Sequence, residues 1–139
     1  AQGGGAQAVV TVAQGELAGE FSSRAPGVRV YRGVPFAAPP VGDLRWRPPQ
    51  PPAAWDGMRA ATTAAPSCVQ RRLEAGFYDA GVAAISEDCL YLNVWTAAVP
   101  EDRVPVLVWI HGGGLGIGNS ADVAYDGAAL AVQDPRDLP

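Results

Sequence analysis

Residues 111–118 read His-Gly-Gly-Gly-Leu-Gly-Ile-Gly. Three consecutive glycines let backbone N–H groups approach a ligand with no Cβ in the way, and they accept positive φ. At the carboxyl end of a strand, converging N–H groups hold an oxyanion, and losing one such donor costs about 2.7–4 kcal/mol of transition-state stabilisation. The preceding run, residues 104–110 (Val-Pro-Val-Leu-Val-Trp-Ile), is almost wholly apolar, as a strand buried on both faces is. Two other readings of the glycines stand beside this one. The first is a flexible turn. The second is a dinucleotide fingerprint, since Gly116-Ile117-Gly118-Asn119-Ser120-Ala121 fits GxGxxA. That match begins beyond the end of the apolar run and no helix pattern follows it at once, which makes it the weakest of the three.

The remaining chemistry of acyl transfer is not spelled out in these residues. The five serines are Ser22, Ser23, Ser67, Ser86 and Ser120. A nucleophile elbow needs Gly-x-Ser-x-Gly. Only Ser120 has a glycine two places before it, and Asp122 occupies the final position. The sole histidine is His111. Cys68 and Cys89 are too far apart for a CxxC redox pair and too poor in companions for a structural zinc site. A disulfide formed in an oxidising compartment is the simplest reading, with two buried free thiols as the alternative.

The elements that must position these groups follow from composition and pattern. The 139 residues, 48% hydrophobic and 17% charged, make a globular chain of one domain or part of one. Ten arginines, no lysine and fourteen acids give a net charge of −4, which offers no footprint for nucleic acid or an anionic membrane. No stretch approaches the ~18 uninterrupted apolar residues of a bilayer span. Residues 1–7 are polar and Gly-rich, are expected to be disordered, and read as a mature N-terminus left after signal-peptide removal. Residues 8–32 read as a small antiparallel meander. Between Pro35 and Pro52 fall seven of the thirteen prolines, so this segment is expected to run as an extended surface loop, pinned at its end by Trp46 and Trp55. Residues 90–96 form a strand pattern and are expected to lie beside the strand at 104–110. Residues 127–133 begin a helix that Pro135 stops. A strand buried on both faces needs neighbours on both edges and helices above and below. This chain supplies one candidate neighbour and almost no helix. Residues 8–139 therefore read as the front part of one larger α/β domain, incomplete on its own.

Three blocks, in order, then carry a resemblance. They are residues 32–46 (Arg-Gly-Val-Pro-Phe-Ala-Ala-Pro-Pro-Val-Gly-Asp-Leu-Arg-Trp), residues 86–95 (Ser-Glu-Asp-Cys-Leu-Tyr-Leu-Asn-Val-Trp) and the His-Gly-Gly-Gly run. Together they resemble the N-terminal part of the type-B carboxylesterases, the cholinesterase-like branch of the α/β-hydrolase fold, from about residue 15 to residue 130. The middle block is a signature stretch of that family, and Ala97 stands at its end where Pro, Gln or Arg is usual. Gly113 and Gly114 match the glycines whose amides form the family's oxyanion hole. Cys68 and Cys89 match its first disulfide, and Arg45 and Glu87 its buried ion pair. His111 matches the position before the glycines and is not the catalytic base, while Tyr125-Asp126-Gly127 resembles the turn into the first helix.

The resemblance implies a serine esterase that acts through an acyl-enzyme on a small-molecule carboxylic ester, without metal or organic cofactor. Choline esters are not implied. The aromatic that cradles a quaternary ammonium in cholinesterases would fall within residues 69–88, which contain no Trp and only Phe77 and Tyr78 as aromatics. The serine, acid and base are expected outside these residues, on a second chain or lost, so that this chain alone is inactive. A secreted or periplasmic location follows from the opening residues and the disulfide. The competing class is a non-catalytic cholinesterase-like binding or adhesion protein, which keeps the same disulfide and glycines, or an inactive truncated esterase.

Overall fold

The computed structural model describes residues 7–71 and 84–133. Its frame is a five-stranded sheet. Strand β1 (Ala8–Val12) and strand β2 (Gly15–Phe21) form a tight antiparallel hairpin, with Ala8 opposite Gly19 and Val12 opposite Gly15. Strand β3 (Arg29–Pro35) pairs antiparallel with the end of β2, and β5 (Tyr91–Thr96) pairs antiparallel with β3. Strand β4 (Met58–Ala60) runs parallel to β2 along Glu16, Leu17 and Ala18. The meander expected over residues 8–32 is therefore present, with β3 carried on to Pro35. The strand at 90–96 is also present, but its partner is β3.

A change of partner halfway along β2 shapes the sheet. Glu16 to Ala18 have β1 on one edge and β4 on the other, whereas Glu20 and Phe21 pair with β3. Ala61, just past β4, wedges into the fork between β2 and β3. Its N–H donates to the Ala18 carbonyl (2.8 Å) and its carbonyl accepts from the Arg32 N–H (2.7 Å). Beyond the fork the strands close tightly: a Cβ on Gly19 would lie 2.3 Å from the Val30 carbonyl oxygen.

Alternation along β3 feeds two apolar clusters, one on each face. Tyr31 joins Ala8, Leu17 and Ala61, with Val10, Val12, Val34 and Trp55 packed around them. Its neighbour Val30 joins Ala25, Val28 and Ala128, with Trp95 and Ala131 alongside. Within β3 the register slips between Tyr31 and Val34, which face Val94 and Leu92. Arg32 and Gly33 thus stand against the single residue Asn93, which is a β-bulge. Gly33 there takes a φ of 65°, a value that suits glycine.

The proline-dense loop is irregular apart from a 3₁₀ turn at Gly42–Leu44. Trp55 does pin its end, donating from Nε1 to the Glu16 carbonyl (2.9 Å) and from its amide to the Gln14 carbonyl (2.9 Å). Trp46 does not: it is 91% exposed. Its φ of 60° reverses the chain after the 3₁₀ turn, and the Arg45 guanidinium lies 5.9 Å from the ring centroid. Beyond β5 the described residues make only two further 3₁₀ turns, Val123–Tyr125 and Leu130–Val132, so the helix expected over 127–133 is reduced to one turn.

Residues 104–110 correct a larger expectation. They form no strand, and their apolar side chains lie in solvent, with Val106 at 85% and Ile110 at 86% exposure. An apolar run becomes a strand only when a neighbour accepts and donates its ladder hydrogen bonds, and among the described residues none does. The disorder expected for residues 1–7 concerns residues that lie, apart from Gln7, outside those described.

Candidate active site

The glycine run folds into a closed loop. The Gly113 carbonyl accepts from the N–H groups of Gly116 (3.1 Å) and Ile117 (3.2 Å). Gly113 has a φ of 126° and Gly114 one of 60°, and a Cβ on Gly113 would sit 1.9 Å from the Ile117 carbonyl oxygen. No residue but glycine fits there without opening the loop. A trans peptide is planar, so its N–H points opposite to its C=O. With the Gly113 carbonyl turned into the loop, the Gly114 N–H is turned away from it. The preceding plane is fixed in a similar way. The Gly112 carbonyl lies 2.8 Å from His111 Nδ1, so a proton on Nδ1 binds it and the Gly113 N–H faces the other way. Among the described residues, neither the Gly113 nor the Gly114 amide donates to another group. Two adjacent donors left free in this manner suit a localised negative charge.

Trp109 and His111, two residues apart, both meet the Tyr125 ring, at centroid separations of 5.8 and 6.5 Å. Two-residue spacing on one side is what an extended chain provides. Among the described residues, the contacts of His111 are with the Gly112 carbonyl and the Tyr125 ring. At the turn that follows, the Asp122 carboxylate accepts from the Ala124 N–H (2.9 Å) and the Asp126 carboxylate from the Ala128 N–H (2.9 Å).

Cys68 and Cys89 form a disulfide, with a Cα–Cα distance of 5.0 Å. Beside it Ser67 bridges to Ile85: the Ser67 N–H donates to the Ala84 carbonyl (3.0 Å) and the Ser67 carbonyl accepts from Ser86 (2.9 Å). Arg45 Nη1 lies 2.8 Å from Glu87 Oε1, joining the proline loop to this base. The pair is not buried as expected. The two side chains are 57% and 46% exposed, because the proline loop skirts the surface and nothing described covers them. Close by, burial pushes the Tyr91 hydroxyl above its ordinary pKa of 10.0, Asp88 adds to the effect, and Arg59 opposes it. Phe77 and Tyr78, the aromatics that bear on choline-ester recognition, lie outside the described residues.

Two residues that tie this machinery together were not singled out from the sequence. Asn93 faces the β3 bulge, accepting from the Gly33 N–H at Oδ1 (3.0 Å) and donating from Nδ2 to the Ser120 carbonyl (2.9 Å). Gln70 reaches the end of the glycine loop, where its side-chain amide meets both backbone polar groups of Gly118. An Asn within a strand is unusual enough to flag. Gln70 gives no such signal, since its partner is 48 residues away. An apolar cleft of about 270 Å³ lined by Phe36, Leu44, Pro48 and Leu90 includes no residue of the glycine loop. Among the described residues, no three His, Cys, Asp or Glu side chains gather as metal ligands do, and no helix is long and apolar enough to cross a membrane.

Residues 6–134 match the sequence pattern of the carboxylesterase family. The fumonisin B1 esterase of Sphingopyxis macrogoltabida is 52% identical over 106 residues, covering 75% of this chain and 19% of that protein. Liver carboxylesterase of Sus scrofa is 41% identical over 139 residues, covering 91% of this chain and 24% of that one. Among solved structures, the Geobacillus stearothermophilus carboxylesterase superposes with a TM-score of 0.74 at 42% identity, over 88% of this chain and 23% of its own. A PNB esterase does so with a TM-score of 0.78 at 37% identity, over 88% and 25%. The chain thus spans about a quarter or less of the length of these relatives, and its strands form the sheet-rich N-terminal portion of an α/β-hydrolase. With the family's pattern running through nearly every described element, from the β1–β2 hairpin to the turns after the glycine loop, this chain belongs to the carboxylesterase family.

Proposed function

We propose that these residues are the oxyanion-binding part of a serine esterase that hydrolyses small-molecule carboxylic esters through an acyl-enzyme. The observation that carries this reading is the Gly113 and Gly114 amides, which donate to no group among the described residues and are turned away from the engaged Gly112 and Gly113 carbonyls. Membership of the carboxylesterase family supports the same chemistry.

In the reaction, a serine oxygen attacks the ester carbonyl carbon while a histidine accepts the serine proton. The carbonyl oxygen becomes an oxyanion, and the Gly113 and Gly114 N–H groups donate to it. Collapse of the intermediate expels the alcohol, which takes up the proton from the histidine. Water then attacks the acyl-enzyme by the same route and releases the acid. Serine, acid and base are supplied by polypeptide outside these 139 residues, as a continuation or as a second chain, since no Gly-x-Ser-x-Gly occurs within them. The Cys68–Cys89 disulfide supports a secreted or periplasmic location, where such bonds persist.

Treating the intact protein with a fluorophosphonate, followed by peptide mass mapping, tests the reading. The expected adduct is on one serine outside residues 1–139, with none on Ser120. An unlabelled protein that also fails to hydrolyse p-nitrophenyl esters would be a non-catalytic binding member of the family.

A further inference from the structure

We infer that Gln70 is a positioning residue for the oxyanion amides, holding the end of the glycine loop to the disulfide that anchors it. The catalytic consequence rests on the esterase reading above; the structural one does not. Gln70 Oε1 accepts from the Gly118 N–H at 2.7 Å, and Gln70 Nε2 donates to the Gly118 carbonyl at 2.7 Å. Engaging both polar groups of one residue fixes its orientation as well as its position, as a neighbouring strand would. Nε2 also donates to the Cys68 carbonyl at 3.2 Å, so the amide's two N–H groups and its oxygen are all in use. Cys68 is in turn bonded to Cys89, just ahead of β5. The clamp is therefore grounded in the sheet.

Gly118 transmits that grip to the donors. It is buried, its φ is 106°, and a Cβ added to it would lie 2.6 Å from the Gly112 carbonyl oxygen and 2.8 Å from His111 Nδ1. The Gly112 carbonyl and the Gly113 N–H are opposite ends of one rigid peptide plane. Wherever Gly118 is held, the Gly112 carbonyl must pack against it, and the direction of the Gly113 N–H follows. The next plane is fixed by the hydrogen bonds from Gly116 and Ile117 to the Gly113 carbonyl, immediately before Gly118. Releasing Gly118 thus loosens both donors, while the strands that form the core are untouched.

The test uses the intact protein with Gln70→Met, which keeps the length of the side chain and removes every polar contact, and Gln70→Glu, which keeps an acceptor for the Gly118 N–H and loses the donor. In Gln70→Met the expected result is a fall in kcat on p-nitrophenyl acetate of about tenfold to a hundredfold with KM within about twofold, the pattern of an interaction lost in the transition state. Gln70→Glu should fall at least as far as Gln70→Met, because its second carboxylate oxygen would face the Gly118 and Cys68 carbonyls to which Nε2 now donates. Hydrogen exchange at the Gly118 amide should quicken about tenfold or more in Gln70→Met, since its acceptor is gone. Unchanged kcat in Gln70→Met would overturn the positioning role, and unchanged exchange would overturn the clamp itself. Loss of the cooperative melt in both variants would also overturn it, because a positioning residue leaves the fold standing. If the unsubstituted protein neither turns over esters nor reacts with the phosphonate, the esterase reading fails, and the exchange measurement still decides the clamp.

Discussion

Two valine-rich stretches of this chain meet opposite fates. Around the start of β3, Val28 and Val30 are 0% and 1% exposed. In residues 104–110, Val106 and Val108 are 85% and 75% exposed. Side-chain chemistry does not separate them. What separates them is a ladder: β3 has β2 on one edge and β5 on the other, and residues 104–110 have neither among the described residues. In an α/β-hydrolase such a run is a strand of the central sheet. An apolar, β-branched pattern states what a segment requires; whether it is buried depends on partners that the segment does not contain.

The same contrast holds for two crowded glycines. Gly19 in the sheet and Gly113 in the loop are both too tight for a Cβ, with backbone oxygens at 2.3 and 1.9 Å from its place. Their substitutions should nevertheless fail differently. Gly113→Ala should lower kcat on a p-nitrophenyl ester about 10²–10³-fold, the usual effect of losing an oxyanion donor, with little change in the melting midpoint. Gly19→Ala should instead cost about 3 kcal/mol of stability by overpacking, read by urea titration. Equal losses of stability in the two variants would erase the distinction between the loop and the sheet.

Reducing the Cys68–Cys89 disulfide comes next in size. Closing a loop of this length is worth about 3 kcal/mol on the chain-entropy model, so the urea midpoint should drop accordingly on adding a phosphine reductant. Asn93→Asp keeps an acceptor for the Gly33 N–H and loses the donor to Ser120. It should cost about 1–2 kcal/mol in the same titration, as the loss of one partly buried hydrogen bond does. Arg45→Ala should be the mildest change. Both members of that ion pair are about half exposed, and surface pairs are worth about 0–1 kcal/mol. A larger loss would mean that the pair is covered in the intact protein.

The same contrast explains what could be read before the structure was known. Strands β1, β3 and β5 were legible from their β-branched residues, and β2, which has none, from the Gly and Pro that punctuate the chain on either side of it. Strand β4 was not, since Met58-Arg59-Ala60 has no strand pattern and owes its extended form to the exposed edge of β2. Trp46 was misread for a related reason: an aromatic ring favours burial, but nothing among the described residues covers this one, which is 91% exposed. The glycine loop was legible because its three glycines directly follow an apolar run, whereas Gly3-Gly4-Gly5, with no such run before them, read only as a flexible start. Gln70 and Asn93 were not, because their roles exist only across 48 and 60 residues of chain. Motifs announce the groups that do chemistry; the groups that aim them are found in space.

The pairing of β3 with β5 also sets a timetable. The β1–β2 hairpin is local and can close within about 1–10 μs once both strands are available. Strand β3 then has one edge satisfied and must wait for a partner about 60 residues further along the chain. At about 5–20 residues per second of synthesis, that wait lasts about 3–12 s. For that time a nascent chain displays an unpaired strand edge, open to a chaperone or to another nascent chain like itself. The disulfide is bound by the same clock, because Cys89 arrives only just before β5.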